Sequence, residues 1–142
     1  MQLRDIMTTS VEVIAPTDSI YEASRRMRDI DAGSLPVCDG RRLLGMITDR
    51  DITIRGTAEN RDPKTTPVSD CMSPEIIYCF EDQSDEDAER LMSQNQIRRL
   101  PVLSREKQLA GIVSLGDLAT KTGQLQDAGR TLREVSEPGG RA

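Results

Sequence analysis

The sequence predicts an α+β (mixed α/β) fold in which one β-α-β-β-α unit occurs twice. The main observation is that three short blocks recur in the same order, 65 or 66 residues further along the chain. Both copies also alternate short apolar runs, typical of strands, with segments whose apolar residues have helical spacing. Such a repeat indicates one supersecondary unit that buries its apolar face against a neighbouring copy. The recurring pairs are Asp5–Thr8 with Asp70–Ser73, Leu35–Val37 with Leu100–Val102, and Gly45–Asp51 with Gly111–Asp117.

In the first copy, a turn-like segment ending in Met7 precedes a strand at Val11–Ile14. A helix begins at Thr17–Ser19, which offers capping side chains, and carries apolar residues three and four positions apart. An Asp-Gly turn joins the next two strands. These strands and the closing helix are expected at Leu35–Cys38, Arg42–Thr48 and Asp49–Arg55.

The second copy repeats this order. Ser84 caps a helix whose first turn holds three acidic residues, which the helix dipole favours. Strands are expected at Ile76–Phe80, Leu100–Leu103 and Gln108–Ser114, with a helix at Leu115–Lys121.

The repeats are assigned to residues 1–56 and 68–121, with a polar, proline-containing linker at 57–67. Residues 122–142 form a polar C-terminal tail. Within it, Leu125, Leu132 and Val135 are predicted to lie on one face of a short helix, and Pro138–Ala142 is predicted to be disordered.

Composition excludes several classes of function. The 142 residues are 36% hydrophobic and 2% aromatic, so an aliphatic core is expected. A net charge of −5 disfavours nonspecific binding to nucleic acid or to anionic membranes. No apolar run approaches the ~20 residues of a membrane span. The N-terminus lacks a secretory pattern, so a cytoplasmic location is expected.

Histidine is absent, which removes His-based triads and His-containing metal sites. Cys38, Cys71 and Cys79 are odd in number and widely spaced, which argues against a disulfide framework or a zinc site. Cys79 lies in an apolar run and is expected to be a core residue. No nucleophile–base pair can be assembled, so an enzyme is disfavoured and no catalytic or metal-binding residue is assigned.

The repeated strand-to-helix turn carries the clearest chemistry. A strand ends at Thr48, and Asp51 follows in the first turn of a helix; Ser114 and Asp117 repeat this arrangement. The hydroxyl can bind a phosphate beside the helix N-terminus, and the carboxylate can accept both hydroxyls of a ribose. The same spacing is that of a helix-capping box, and one occurrence alone indicates a cap. Its recurrence favours nucleotide binding, a role compatible with capping.

The segments before the Leu-Pro-Val strands differ between the copies. Adjacent Arg98 and Arg99 can bind phosphates or form a solvated charge pair. Gly33 of the first copy can let a flat base approach the backbone or simply form a turn. Arg50 aligns with Gly116, a second asymmetry in positive charge. These differences indicate two unequal sites.

The ordered set of motifs resembles a tandem pair of CBS domains, also called a Bateman module. The resemblance is carried by the Met-[Thr/Ser] start, the Leu-Pro-Val strand and the Gly-φ-φ-[Thr/Ser]-x-x-Asp turn (φ apolar), each present twice over residues 1–121. It is strongest to small stand-alone bacterial proteins of this family. The resemblance implies a pseudo-twofold pair packed through its sheets, two clefts between the copies, and a homodimer.

The resemblance also implies adenosine-containing ligands: AMP, ADP, ATP, NAD or S-adenosylmethionine. No obligatory cofactor is expected, and Mg²⁺ is expected only as the companion of ATP. Arg99 stands where many relatives carry His. The cleft with three arginines is expected to be the tighter phosphate site. By the resemblance, one cleft joins Thr48, Arg50 and Asp51 to Ile77, Ile97, Arg98 and Arg99, and the other joins Ser114 and Asp117 to Ala32, Gly33 and the region near Val11.

Two functions remain open from the sequence. The first is a non-enzymatic regulatory module that senses adenine nucleotides and acts on an unidentified partner protein. The second is a structural dimerisation module whose clefts hold no ligand.

Overall fold

The computed structural model describes residues 1–121 and 125–136. Its contacts divide the chain into two compact units. The first-repeat unit spans Glu12–Ile76, and the second-repeat unit combines Met1–Val11 with the chain from Ile77 onward. Each unit therefore contains residues from both copies of the sequence repeat.

The first-repeat unit packs helix α1 (Ile20–Ile30) against an antiparallel hairpin of β1 (Ser34–Asp39) and β2 (Arg42–Thr48). The predicted cap is present, because the Ser19 hydroxyl accepts the Glu22 amide at 3.1 Å. The predicted helix and hairpin are confirmed.

The helix that follows β2 differs from the regular helix predicted over Asp49–Arg55. Helix α2 makes one α turn at Asp49–Asp51, widens to π-type hydrogen bonding over Ile52–Gly56, and tightens to a 3₁₀ turn at Thr57–Glu59. It therefore extends into the predicted linker. Gly56 is buried, and a Cβ there would lie 2.8 Å from Ile20 Cδ1, so glycine lets this helix pass close to α1.

The second-repeat unit holds a three-stranded sheet in the order β3-β4-β5, with β3 parallel to β4 and β4 antiparallel to β5. The Ser84 cap is confirmed and forms a box with Asp87. The strands are β3 (Cys79–Phe80), β4 (Arg99–Leu103) and β5 (Leu109–Ser114), and the helices are α3 (Asp85–Asn95), α4 (Leu115–Lys121) and α5 (Leu125–Val135).

Both leading strands are shorter than predicted. The strand expected at Val11–Ile14 is reduced to one parallel bridge between Ile14 and Val37. The Val13 carbonyl is bound by the Arg26 guanidinium instead of a neighbouring strand. The strand expected at Ile76–Phe80 is only the two-residue β3.

Each unit has its own aliphatic core. Cys79 is fully buried in the core of the second-repeat unit, as predicted. The core of the first-repeat unit consists of Ile14, Ile20, Ala23, Met27, Leu35, Val37, Ile47, Val68 and Cys71. That of the second consists of Leu3, Ile6, Cys79, Ala88, Met92, Leu100, Val102, Val113, Leu115, Leu118 and Val135.

A short segment from the other sequence copy completes each sheet. In the first-repeat unit, Ser73 and Met46 exchange backbone hydrogen bonds of 2.9 and 3.1 Å. In the second-repeat unit, Thr8 and Ile112 exchange equivalent bonds of 2.8 and 3.0 Å. We call these the docked segments, 68–76 and 1–11.

Glycine permits both dockings. A Cβ on Gly45 would lie 2.4 Å from Ser73 O, and a Cβ on Gly111 would lie 2.7 Å from Thr8 O. Both distances are too short for any side chain, which explains why each copy of this repeated block begins with glycine.

Helix α5 packs against α3 and α4. It buries Thr131 and Val135, whereas Leu132 is 43% exposed. Leu132 and Val135 lie roughly 60° apart around the helix, which agrees with the predicted common face for this pair, although Val135 is buried and Leu132 lies at the exposed edge of that face. The Leu125 side chain and Pro138–Ala142 lie outside the described residues. Across the described ranges, every helix is too short or too polar to cross a lipid bilayer.

Candidate functional site

The predicted turn of the first-repeat unit has the geometry of a capping box. Thr48 Oγ1 accepts the Asp51 amide at 3.0 Å, and Asp51 Oδ2 accepts the Thr48 amide at 2.9 Å. Both residues are half-buried. Among the described residues, Asp51 Oδ1 accepts no hydrogen bond and has no cationic partner. One oxygen of the Asp51 carboxylate therefore has no hydrogen-bond partner within the described part of the chain.

The turn of the second-repeat unit repeats the box but not its surroundings. Ser114 Oγ accepts the Asp117 amide at 3.0 Å, and Asp117 Oδ2 accepts the Ser114 amide at 2.9 Å. The other oxygen, Asp117 Oδ1, lies 3.4 Å from Lys121 Nζ. Lys121 Nζ also donates to Ile6 O at 3.0 Å. Here the second carboxylate oxygen is already ion-paired.

Arg55 and Lys121 each stand four positions after the aspartate of their turn. Arg55 Nη1 donates to Cys71 O and Met72 O, both at 3.1 Å, and so holds docked segment 68–76. Lys121 holds docked segment 1–11 in the same way, through the Ile6 carbonyl. The sequence motifs did not single out these residues. Their equivalent places in the repeat, 66 residues apart, were the available signal.

The strand entrance of the first-repeat unit lies beside the turn of the same copy. Ser34 pairs with Thr48, and Gly33 O accepts the Asp49 amide at 2.9 Å. A Cβ on Gly33 would lie 3.0 Å from Asp49 Oδ2. The Asp49 carboxylate thus occupies the space that the missing side chain leaves, and a base could approach there only if Asp49 moved.

The entrance of the second-repeat unit lies beside its own turn in the same way, because Arg99 pairs with Ser114. The neighbouring Arg98 reaches the C-terminal end of α5, where its Nη2 lies 3.4 Å from Ser136 Oγ. Both arginines are exposed. Arg99 makes no ion pair within the described part of the chain.

The remaining candidates are apolar contacts and one charge. Val11 is half-buried, and Ile77 and Ile97 pack partly buried against the core of the second-repeat unit. Arg50 is exposed. The first-repeat unit brings together Ala32, Gly33, Thr48, Arg50 and Asp51. The second-repeat unit contains Val11, Ile77, Ile97, Arg98, Arg99, Ser114 and Asp117.

The three cysteines are buried free thiols. Burial raises the pKa of Cys38 and of Cys79 to about 11, and burial is also the main cause of the raised pKa of Cys71. Such thiols stay protonated at neutral pH and are poor nucleophiles.

Comparison with known families places these turns in context. The CBS domain model matches residues 3–55 and 68–122. The chain belongs to the CBS domain family. Each matched CBS range contains one of the two strand-to-helix turns, Thr48–Asp51 or Ser114–Asp117.

Relatives of this CBS pair cover nearly the same length. This chain is 44% identical over 134 residues to the CBS domain-containing protein YhcV of Bacillus subtilis, and the match covers 94% of each chain. It matches the crystal structure of Hypoxic Response Protein I with two coordinated zinc ions at TM-score 0.78 and 38% identity, over 84% of this chain and 97% of that one. It matches CBSX2 in complex with AMP at TM-score 0.76 and 27% identity, over 88% and 98%. These matches confirm the predicted fold class.

The zinc ions of Hypoxic Response Protein I belong to that structure, and the described residues of this CBS pair contain no cluster of metal ligands. The chain has no histidine. In residues 1–121 and 125–136, no three Cys, Asp or Glu side chains lie close enough together to hold a metal ion.

Proposed function

We propose that this CBS pair is a non-enzymatic regulatory module that binds an adenosine-containing ligand: AMP, ADP, ATP, NAD or S-adenosylmethionine. Binding changes the conformation or pairing of the module and thereby the activity of a partner protein. The proposed contacts are Ala32, Gly33, Thr48, Arg50 and Asp51 in the first-repeat unit, and Val11, Ile77, Ile97, Arg98, Arg99, Ser114 and Asp117 in the second.

The capping-box turn that both units build carries the proposal. Each turn fixes a hydroxyl and a carboxylate by reciprocal hydrogen bonds of 2.9 and 3.0 Å, so the two groups are preorganised. The box uses one oxygen of each carboxylate. The other oxygen can accept a ribose hydroxyl, a charge-assisted hydrogen bond. The AMP complex of CBSX2 supports an adenine nucleotide as the ligand.

Exposed arginines support a ligand that carries phosphate. The guanidinium groups of Arg50 and Arg99 make no ion pair with any described residue, and that of Arg98 contacts only a hydroxyl. Guanidinium groups bind phosphate through two parallel hydrogen bonds. The chain as a whole is acidic, so the positive charge of these three arginines is a local feature at or beside the two turns.

Titration calorimetry with AMP, ADP, ATP, NAD and S-adenosylmethionine tests the proposal. Asp51→Asn and Asp117→Asn are each expected to weaken one site about 10- to 100-fold, the loss of one hydrogen bond to a charged group. Asparagine keeps an acceptor oxygen for the cap, so the fold is expected to persist.

The matched control is Asp29→Asn, an exposed α1 carboxylate 3.1 Å from Arg28 Nε, which is expected to leave binding unchanged. Absence of binding by the wild-type protein at millimolar ligand would refute the proposal.

A structural dimerisation module is the second candidate. One observation favours it: both boxes are satisfied internally, with no ligand needed to complete them. Sedimentation velocity separates the two functions. A homodimer that neither binds nucleotide nor changes with it would support the structural module.

A further inference from the structure

The two strand-to-helix turns differ in what contacts the second oxygen of their aspartate. Asp51 Oδ1 has no cationic partner among the described residues, whereas Asp117 Oδ1 lies 3.4 Å from Lys121 Nζ. The equivalent cation of the first-repeat unit, Arg55, donates instead to the Cys71 and Met72 carbonyls. Among the described residues, only the Asp117 carboxylate is therefore ion-paired with a side chain of its own unit.

Lys121 also bridges two parts of the second-repeat unit. Its ammonium contacts the Asp117 carboxylate on α4 and the Ile6 carbonyl on docked segment 1–11. Ile6 is fully buried, and two residues later Thr8 pairs with β5. A change at the carboxylate can therefore reach the docked segment through one side chain.

We infer that Lys121 lowers the affinity of the Asp117 site and couples it to the docking of segment 1–11, an inference that rests on the proposed nucleotide function. A ribose hydroxyl that binds Asp117 Oδ1 competes with the Lys121 ammonium. Lys121 then loses one of its two partners and holds Ile6 less firmly. By linkage, release of the segment raises the affinity of this site by the same factor.

The expected effect is modest, since the Lys121 side chain is 45% exposed and that of Asp117 is 20% exposed. Breaking an ion pair of this exposure weakens ligand binding by about two- to fivefold. No described residue competes in this way at Asp51, so the Asp51 site is expected to fill first.

AMP titration of isolated sites tests the competition. In an Asp51→Asn background, which leaves the Asp117 site, Lys121→Met is expected to tighten AMP binding about two- to fivefold. The matched variant is Arg55→Met in an Asp117→Asn background, which removes a segment contact but frees no carboxylate. It is expected to leave AMP affinity unchanged.

Unchanged or weaker binding by Lys121→Met would overturn the inference, and so would equal tightening by Arg55→Met. The same holds if Asp51→Asn abolishes all AMP binding.

Hydrogen exchange of the Thr8 amide, which donates to Ile112 O at 2.8 Å, tests the coupling without any ligand. Lys121→Met is expected to speed this exchange, and Arg55→Met is expected to speed that of Ser73 instead. If the wild-type protein binds no AMP, the proposed function fails by itself. An unchanged hydrogen-exchange rate of the Thr8 amide in Lys121→Met would show separately that Lys121 does not hold docked segment 1–11.

Discussion

Gly45→Ala is the most direct test of the docked segments. The new Cβ would lie 2.4 Å from Ser73 O, a backbone atom that no side-chain rotation can move away. Either segment 68–76 or strand β2 must shift. We expect the part of the segment around Ser73 to separate from β2, because two hydrogen bonds between Ser73 and Met46 join them there. Residues 68–72 remain held by Arg55 and by the buried Val68 and Cys71.

The magnitude follows from those contacts. The two backbone bonds, 2.9 and 3.1 Å long, contribute together about 2 kcal/mol net. If the segment stays docked instead, the overpacked contact costs about 1–3 kcal/mol. The lower entropy of the unfolded alanine chain offsets about 0.4–1 kcal/mol. By either route the free energy of unfolding should therefore fall by about 1–2 kcal/mol, against a typical 5–15 kcal/mol.

Urea unfolding followed by circular dichroism measures this loss. Gly129→Ala is the control, since a Cβ there has nothing within 4 Å. It is expected to stabilise α5 by about 0.5–1 kcal/mol. Equal or greater stability of Gly45→Ala relative to wild type would show that the segment does not dock as described.

Four further predictions concern stability and reactivity. Ser84→Ala removes the hydroxyl that accepts the Asp87 amide at 3.2 Å and should cost about 1 kcal/mol in urea unfolding. The hydrogen bond from the Ser84 amide is the main cause that holds the pKa of Asp87 below its ordinary 3.8. The ionised Asp87 carboxylate therefore stabilises the fold above pH 3.8, and this stabilisation is lost as the pH falls through the lowered pKa of the folded protein. In Asp87→Asn, the free energy of unfolding should consequently fall less steeply at acid pH. Because the thiol pKa of Cys38 and Cys79 is raised from 9.0 to about 11, iodoacetamide at pH 8 should modify the folded protein far more slowly than the urea-unfolded protein. The raised thiol pKa values also predict that the contribution of Cys38 and Cys79 to the free energy of unfolding is full below pH 9.0 and declines as the pH rises toward about 11.

Elements with a local signal could be predicted from the sequence. The Ser84 cap, the Asp39–Gly40 turn and both hairpins depend on residues close together in the chain, and the structure contains them. The π-type widening of α2 could not be predicted in this way. It accompanies the close approach of Gly56 to Ile20, 36 positions earlier in the chain.

The same limit applies to the candidate site. The spacing of Ser114 and Asp117 was sufficient to predict the box, because both partners lie within four residues. The state of the second Asp117 oxygen depends on Lys121, whose other partner, Ile6, lies 115 residues away. The repeat places a cation four positions after each aspartate, but it does not tell which backbone carbonyl, 115 residues away, that cation contacts.

The docked segments bear on the origin of the duplication. One copy alone would leave the hydrogen-bonding groups of Met46, or of its counterpart Ile112, without the segment that pairs with them. Two separate copies could complete each other only by exchanging segments, as domain-swapped dimers do. Fusion into one chain makes this exchange intramolecular, and a tether raises the effective concentration to the millimolar range for short flexible linkers. We therefore expect that separately expressed halves, residues 1–56 and 57–142, fold only when they are mixed. The midpoint of their urea unfolding should then depend on their concentration.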